Sequence, residues 1–161
     1  MKLPKFNIQY LILFSLLFCT SLKSFAQSEP TIEETAEWIH SKLITHLRYP
    51  KDNLQINVST CTITWEYIGS DNIFLYCIDL SNLNANGFLW EYNQITFPAI
   101  LGENAYKEIG KYPDKQIEKT FDKITFQFDD TIKNDNMKER FTKAMKLLIK
   151  QCGGYTKEEK F

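Results

Sequence analysis

The chain has 161 residues, 19 basic against 20 acidic side chains and 43% hydrophobic residues. That length suits one domain with a single core, and the near-neutral charge lacks the basic footprint of a nucleic-acid-binding protein. The sequence contains no internal repeat, no low-complexity tract and no Pro- or Ser-rich linker.

The first elements read as an export signal. Lys2 and Lys5 precede an apolar stretch at residues 10–18 (YLILFSLLF), and Ser24 and Ala26 are small residues at the two positions a signal peptidase reads. The stretch is about half the ~20 residues a membrane-spanning helix needs. Residues 1–26 are therefore expected to be a signal peptide cleaved after Ala26, leaving a chain for the periplasm or the extracellular space. Cys19 raises the lipoprotein alternative, but the bulky Phe18 precedes it where lipid processing wants a small residue. Cleavage removes Lys2, Lys5 and Lys23 and no acid, so 16 basic residues then face 20 acidic ones and the net charge falls to about −4. No nucleic-acid partner and no stable membrane span are expected after cleavage.

Residues 27–154 read as a single α+β domain, followed by a polar tail at 155–161. A helix starts at Ile32: Thr31 with Glu34 forms a capping box, and Glu33 and Glu34 suit the positive end of the helix dipole. Ile32, Ala36, Ile39, Leu43 and Leu47 recur at helical spacing until Pro50 breaks the pattern. Residues 56–68 and 73–80 are rich in Thr, Ile and aromatics, and Gly69-Ser70-Asp71-Asn72 between them is turn chemistry, so a β-hairpin is expected. With Ile68 opposite Ile73, one face carries Cys61, Ile63, Trp65, Tyr67, Phe74, Tyr76, Ile78 and Leu80. These eight are expected to be buried, and the Thr-rich opposite face wet.

Residues 81–87 read as a loop and residues 88–92, 94–97 and 124–128 as further strands. Between them, residues 101–123 alternate Lys and Glu as a solvated face would. A structureless loop of that length is uncommon, so a short element around residues 117–121 is expected. Asn136 and Glu139 form a second candidate capping box, Met137, Phe141, Ala144, Leu148 and Cys152 follow at helical spacing, and Gly153-Gly154 provide a left-handed stop. The expected architecture is an antiparallel sheet of about four to seven strands, flanked by an N-terminal helix and closed by a C-terminal amphipathic helix.

Cysteine parity selects a bond. After cleavage Cys61, Cys77 and Cys152 remain, in a chain that passes through an oxidising compartment. In the hairpin register Cys61 points to the buried face and Cys77 away from it, while Cys152 ends the apolar stripe of the closing helix. Cys61 with Cys152 is the expected disulfide.

Other chemistry is sparse. His40 and His46 lie six apart, roughly 120° around a helix, where a metal pair wants a spacing of three or four. No metal, cofactor-binding or catalytic residue is assigned, since the chain has no Gly-x-Ser-x-Gly elbow and no phosphate-cradling loop. Asp129-Asp130 reads as a turn, and Trp38, Trp65 and Trp90 as core residues rather than a shared aromatic surface.

Residues 31–39 (TIEETAEWI), 61–65 (CTITW), 78–83 (IDLSNL) and 144–154 (AMKLLIKQCGG) together resemble small exported proteins of Bacteroidota of uncharacterised function. That resemblance implies export and supplies no site residues. Strands followed by a closing amphipathic helix are also similar to pleckstrin-homology-like domains, although those usually lack the leading helix. A fold analogy of this kind carries no function. Two classes stay open: a non-catalytic binding module for a protein, peptide or small ligand, with an immunity-type toxin inhibitor as a variant, and an enzyme whose site is dispersed in sequence. Mass spectrometry of protein purified from a bacterial envelope is expected to find Gln27 as the N-terminal residue; retention of Met1 or lipidation at Cys19 contradicts the export reading.

Overall fold

A computed structural model describes residues 29–155, apart from Pro50 and the side chain of Asp135. The expected signal peptide and residues 156–161 of the tail lie outside the described residues. Among the described residues the fold is α+β, with two α-helices and eight antiparallel strands in two sheets.

Helix α1 spans Ile32–His46. Its capping box is reciprocal: the Glu34 amide donates to Thr31 Oγ1 at 3.1 Å and the Thr31 amide donates to the Glu34 carboxylate at 2.9 Å. Both satisfy amides that the helix cannot pair itself. Ala36, Ile39, Leu43 and Leu47 are buried and Ile32 packs against the core, so the apolar stripe faces where its spacing placed it.

The five-stranded sheet has the order β1-β2-β3-β6-β7, with β1 Asp52–Asn57, β2 Thr62–Ile68, β3 Ile73–Asp79, β6 Tyr106–Lys111 and β7 Gln116–Phe121. The three-stranded sheet has the order β4-β5-β8, with β4 Leu89–Glu91, β5 Gln94–Pro98 and β8 Lys123–Gln127. The larger sheet falls within the four to seven strands expected, and two local features add strands that the sequence did not separate. Residues 56–68 do not form one strand: a turn at 58–61 separates β1 from β2, and the Asn57 side chain holds it by accepting from the amides of Ser59 and Thr60 at 3.0 and 3.1 Å. The Lys/Glu-rich stretch holds two strands, β6 and β7, joined through Pro113-Asp114.

The hairpin register is as expected, with Ile68 opposite Ile73 and Trp65 opposite Tyr76. The core lies where Ile63, Trp65 and Ile78 of the larger sheet meet Ile95, Phe97 and Phe126 of the smaller one. Helix α2, Met137–Gln151, closes it with Phe141, Met145, Leu148 and Ile149. Phe128 packs edge-on to Phe141 with ring centres 5.2 Å apart. Asn136 makes no side-chain cap; it takes a left-handed conformation, φ 54°, between a 3₁₀ turn and α2, so the second expected capping box is absent.

Gly153 supplies the left-handed stop at φ 81°. Gly154 is needed for space, because a Cβ there would collide with Ile149 and lie 2.8 Å from the Leu80 carbonyl oxygen. Beyond it Tyr155 is tied down rather than loose, bridging to Asn84 in parallel. Cys61 and Cys152 are joined as a disulfide with Cα atoms 5.5 Å apart, and Cys77 is free. The bond spans 91 residues, for which chain entropy gives a stabilisation on the order of 4 kcal/mol. Cys152→Ser is therefore expected to lower the Tm of oxidised protein by roughly 10 °C in a thermal melt, Cys77→Ser far less, and reductant should erase the difference between them.

Candidate functional site: the open aromatic end of the larger sheet

Side chains of a strand alternate between faces, and antiparallel register carries that parity across the sheet. One face of the larger sheet therefore holds Ile63, Trp65 and Tyr67 of β2, Phe74, Tyr76 and Ile78 of β3, Tyr106, Glu108 and Gly110 of β6, and Ile117, Lys119 and Phe121 of β7. Ile63, Trp65 and Ile78 are in the core. Tyr76 and Tyr106 are half-buried and pack against that core, and the face opens only beyond them. Tyr67, expected to be buried, is 57% exposed, and Ile117 and Phe121 at the sheet's edge are 37% and 38% exposed.

The rings on this face are in contact with one another. Trp65 stacks on Tyr76 with centroids 5.1 Å apart, Tyr76 on Tyr106 at 5.8 Å with planes only 4° apart, and Tyr106 lies 5.1 Å from Phe121. One ring per strand thus links the core to the free edge. A second row runs from Tyr67 to Phe74 at 6.3 Å and on to Tyr112, which meets Phe74 edge-on at 5.9 Å. Gly110 makes that row possible: a Cβ there would sit 3.1 Å from both the Phe74 and the Tyr112 ring. Lys51 lies over Trp65 with its ammonium 4.5 Å from the ring centre. Burial holds its pKa below the ordinary lysine value.

Two of the tyrosines on this face are partly desolvated. Burial raises the Tyr106 pKa well above the ordinary tyrosine range, with the charges of Tyr76 and Glu108 adding to it. Tyr76 is raised in the same direction, by burial first and then by Glu108, Tyr67 and Tyr112. Among the described residues, no side-chain hydrogen bond engages the hydroxyls of Tyr67, Tyr76, Tyr106 or Tyr112. The patch therefore combines apolar ring area with donors and acceptors open to a partner, the combination that favours Tyr at protein interfaces.

The residues singled out from sequence lie elsewhere. Trp65 is 3% exposed, and Trp90 binds Thr142 Oγ1 through its indole N–H at 2.8 Å, packing on Phe128. Trp38 lies under Arg140 and Lys42 between the helices, so the three indoles share no surface. Both histidines are half-buried and hydrogen-bonded. His40 Nε2 is 2.8 Å from the Leu54 carbonyl oxygen, beside a cleft of 470 Å³ between α1 and β1.

His46 Nδ1 is 2.6 Å from Thr131 Oγ1, which in turn donates to Asp129 Oδ1. The order is wrong for nucleophile activation, because the hydroxyl proton points to the carboxylate and not to the imidazole. Asp129 instead caps the 3₁₀ turn by accepting the Thr131 amide at 2.9 Å, in keeping with the turn expected there. No group of three or more His, Cys, Asp or Glu side chains converges as a metal site among the described residues. Cys77 lies on the opposite sheet face, where burial and Asp79 push its thiol pKa up. Compared with protein-family models, curated proteins and solved structures, the chain matches none.

A raised tyrosine pKa means that the folded state holds its proton more tightly than the unfolded chain. Its contribution is complete below the unfolded value near 10 and is lost as pH rises from there through the folded value. Denaturant melts are therefore expected to show stability falling above about pH 10, with Tyr106→Phe flattening that decline while leaving stability at pH 7 nearly unchanged. An unaltered alkaline decline in Tyr106→Phe contradicts the assignment.

Proposed function

We propose that this chain is an exported, non-catalytic binding module that holds a protein partner through the aromatic end of its five-stranded sheet. The carrying observation is the contiguous set of rings Tyr67, Phe74, Tyr76, Tyr106 and Phe121, half-buried through its middle and exposed at Tyr67 and Phe121. Rings held in place by their neighbours lose little freedom when covered, so their contact with a partner costs less entropy than ordering a flexible loop. Export is supported by the basic, apolar and small-residue order of residues 1–26. A cysteine pair at disulfide distance is compatible with it, and no described helix is long and apolar enough to cross a membrane.

A photo-crosslinking phenylalanine analogue in place of Tyr67, in the organism that encodes the chain, is expected to give a discrete protein adduct. The same group in place of Ile44, which is 61% exposed on α1, should give none. No adduct at position 67, or equal adducts at both positions, overturns the reading.

A further inference from the structure

The larger sheet ends at β7, whose outer side pairs with no strand among the described residues. The direction of its backbone groups follows from the hairpin. The Tyr112 amide donates to the Lys115 carbonyl at 2.9 Å, which makes 112 and 115 a hydrogen-bonded pair. Such pairs recur at every second residue of an antiparallel ladder, so Ile117, Lys119 and Phe121 turn their peptide groups toward β6. Gln116, Glu118 and Thr120 then point theirs outward. Three N–H and three C=O groups are presented along an edge that keeps unbroken register over all six residues of the strand.

Natural proteins usually blunt such an edge. The opposite edge of this sheet is blunted: the register of β1 slips between Asp52 and Gln55, where Asn53 takes a φ of 49°. In contrast, β7 has neither bulge nor proline within it. Its inward side chains continue the aromatic face, ending on Phe121. A strand added beyond β7 would meet Ile117, Lys119 and Phe121 in non-hydrogen-bonded pairs, where side chains come closest.

Charge chooses the occupant. Glu118, on the other face, is paired with Lys107 at 2.8 Å, whereas Lys119, which has Glu108 opposite it on the β6 side, is in no ion pair among the described residues and has no acid on its outer side. A second copy is a poor fit. Two antiparallel β7 strands related by a two-fold axis through the centre of the strand place Glu118 opposite Glu118 or Lys119 opposite Lys119.

We infer that the β7 edge takes an extended segment of a partner protein as a sixth, antiparallel strand, whose inward residues read apolar, acidic, apolar against Phe121, Lys119 and Ile117. This rests on the binding-module reading above and names its mode, strand addition backed by side-chain contacts on one face.

The probe is the peptide acetyl-Thr-Val-Thr-Glu-Thr-Phe-Thr-amide, titrated into ¹⁵N-labelled protein. The amides of Gln116, Glu118 and Thr120 are expected to shift and to gain protection from exchange. The peptide with Lys in place of Glu should bind at least tenfold more weakly, and Lys119→Glu should invert that preference. Thr120→Pro removes an outward N–H and none of the bonds to β6, so it should weaken binding tenfold or more with the rest of the spectrum retained. Absence of binding, or a preference unmoved by Lys119→Glu, overturns the inference even if Thr120→Pro fails to fold. In the crosslinking experiment, Thr120→Pro should abolish the adduct at position 67. An adduct that persists in folded Thr120→Pro overturns strand addition and leaves the binding module standing; an adduct missing with the natural edge overturns the binding module itself.

Discussion

Ile68 opposite Ile73 is one pairing among many, yet the rest of the sheet inherits its parity. The turn that sets it is closed by the Gly69 amide donating to the Asn72 carbonyl at 2.9 Å. A slip of one residue would exchange Trp65, Tyr76 and Ile78 for Thr64, Glu66 and Cys77 on the core side. The same parity runs through β6 and β7, so the residues that fill the core and the residues that form the open face are one continuous set of side chains. Burial of Trp65 fixes the first ring, and stacking passes that order to Tyr76, Tyr106 and Phe121 in turn. The surface is thereby preorganised by the core instead of by loops.

A second constraint ties the ends of the core together. Cys61 closes the turn between β1 and β2 in a left-handed conformation, φ 53°, which is uncommon for a residue with a Cβ. From there its side chain reaches Cys152 at the C-cap of α2. Past that point the chain lies against residues 83–85: the Tyr155 amide donates to the Leu83 carbonyl at 3.1 Å and the Ala85 amide to the Tyr155 carbonyl at 3.0 Å. On the two flanks of the apolar stripe of α2, Lys138 lies over Trp90 and Lys146 over Phe88, and Arg140 over Trp38. The helix thus screens the aromatic rim of the core with the stems of its cations as well as with its apolar stripe.

Much of this was legible in the sequence where the signal is local and periodic. The Thr31 capping box, the helix stripes and the hairpin register depend on residues a few positions apart; the end of the helical stripe placed Cys152, whereas Cys61 reaches it from a left-handed turn just before β2 and not from the strand position that parity assumed. The break between β1 and β2 was not legible, because its turn holds no Gly or Pro and its left-handed residue is a cysteine. Nor was β6–β7 read as a hairpin: its Lys/Glu alternation suggests a solvated face, and all six residues of β7 are in fact exposed. The division into two sheets depends on Asp122, where the chain leaves β7 for β8 with a single residue between them. The site was half legible. Period-two alternation placed Tyr67 on the same face as Trp65, but how far along that face the cover extends is a tertiary property that no spacing encodes.

The chemistry of the open end reconciles solubility with recognition. An apolar sheet face left uncovered invites aggregation. Here Tyr76 and Tyr106 lie parallel and offset, with centroids 5.8 Å apart, and both are half-buried, so the ring area left to water is reduced. Gly110 lets Phe74 and Tyr112 close over the backbone in the same way, and Lys119 sets one charge in the row near its edge. These features lower the cost of exposing the face while keeping ring area that a partner can desolvate. Stacking satisfies the rings among themselves but leaves the hydroxyls and the outer groups of β7 unspent, and these are directional. The apolar rings supply area, and the unspent polar groups fix orientation and register. A partner that matches them gains hydrogen bonds that a nonspecific hydrophobic contact does not.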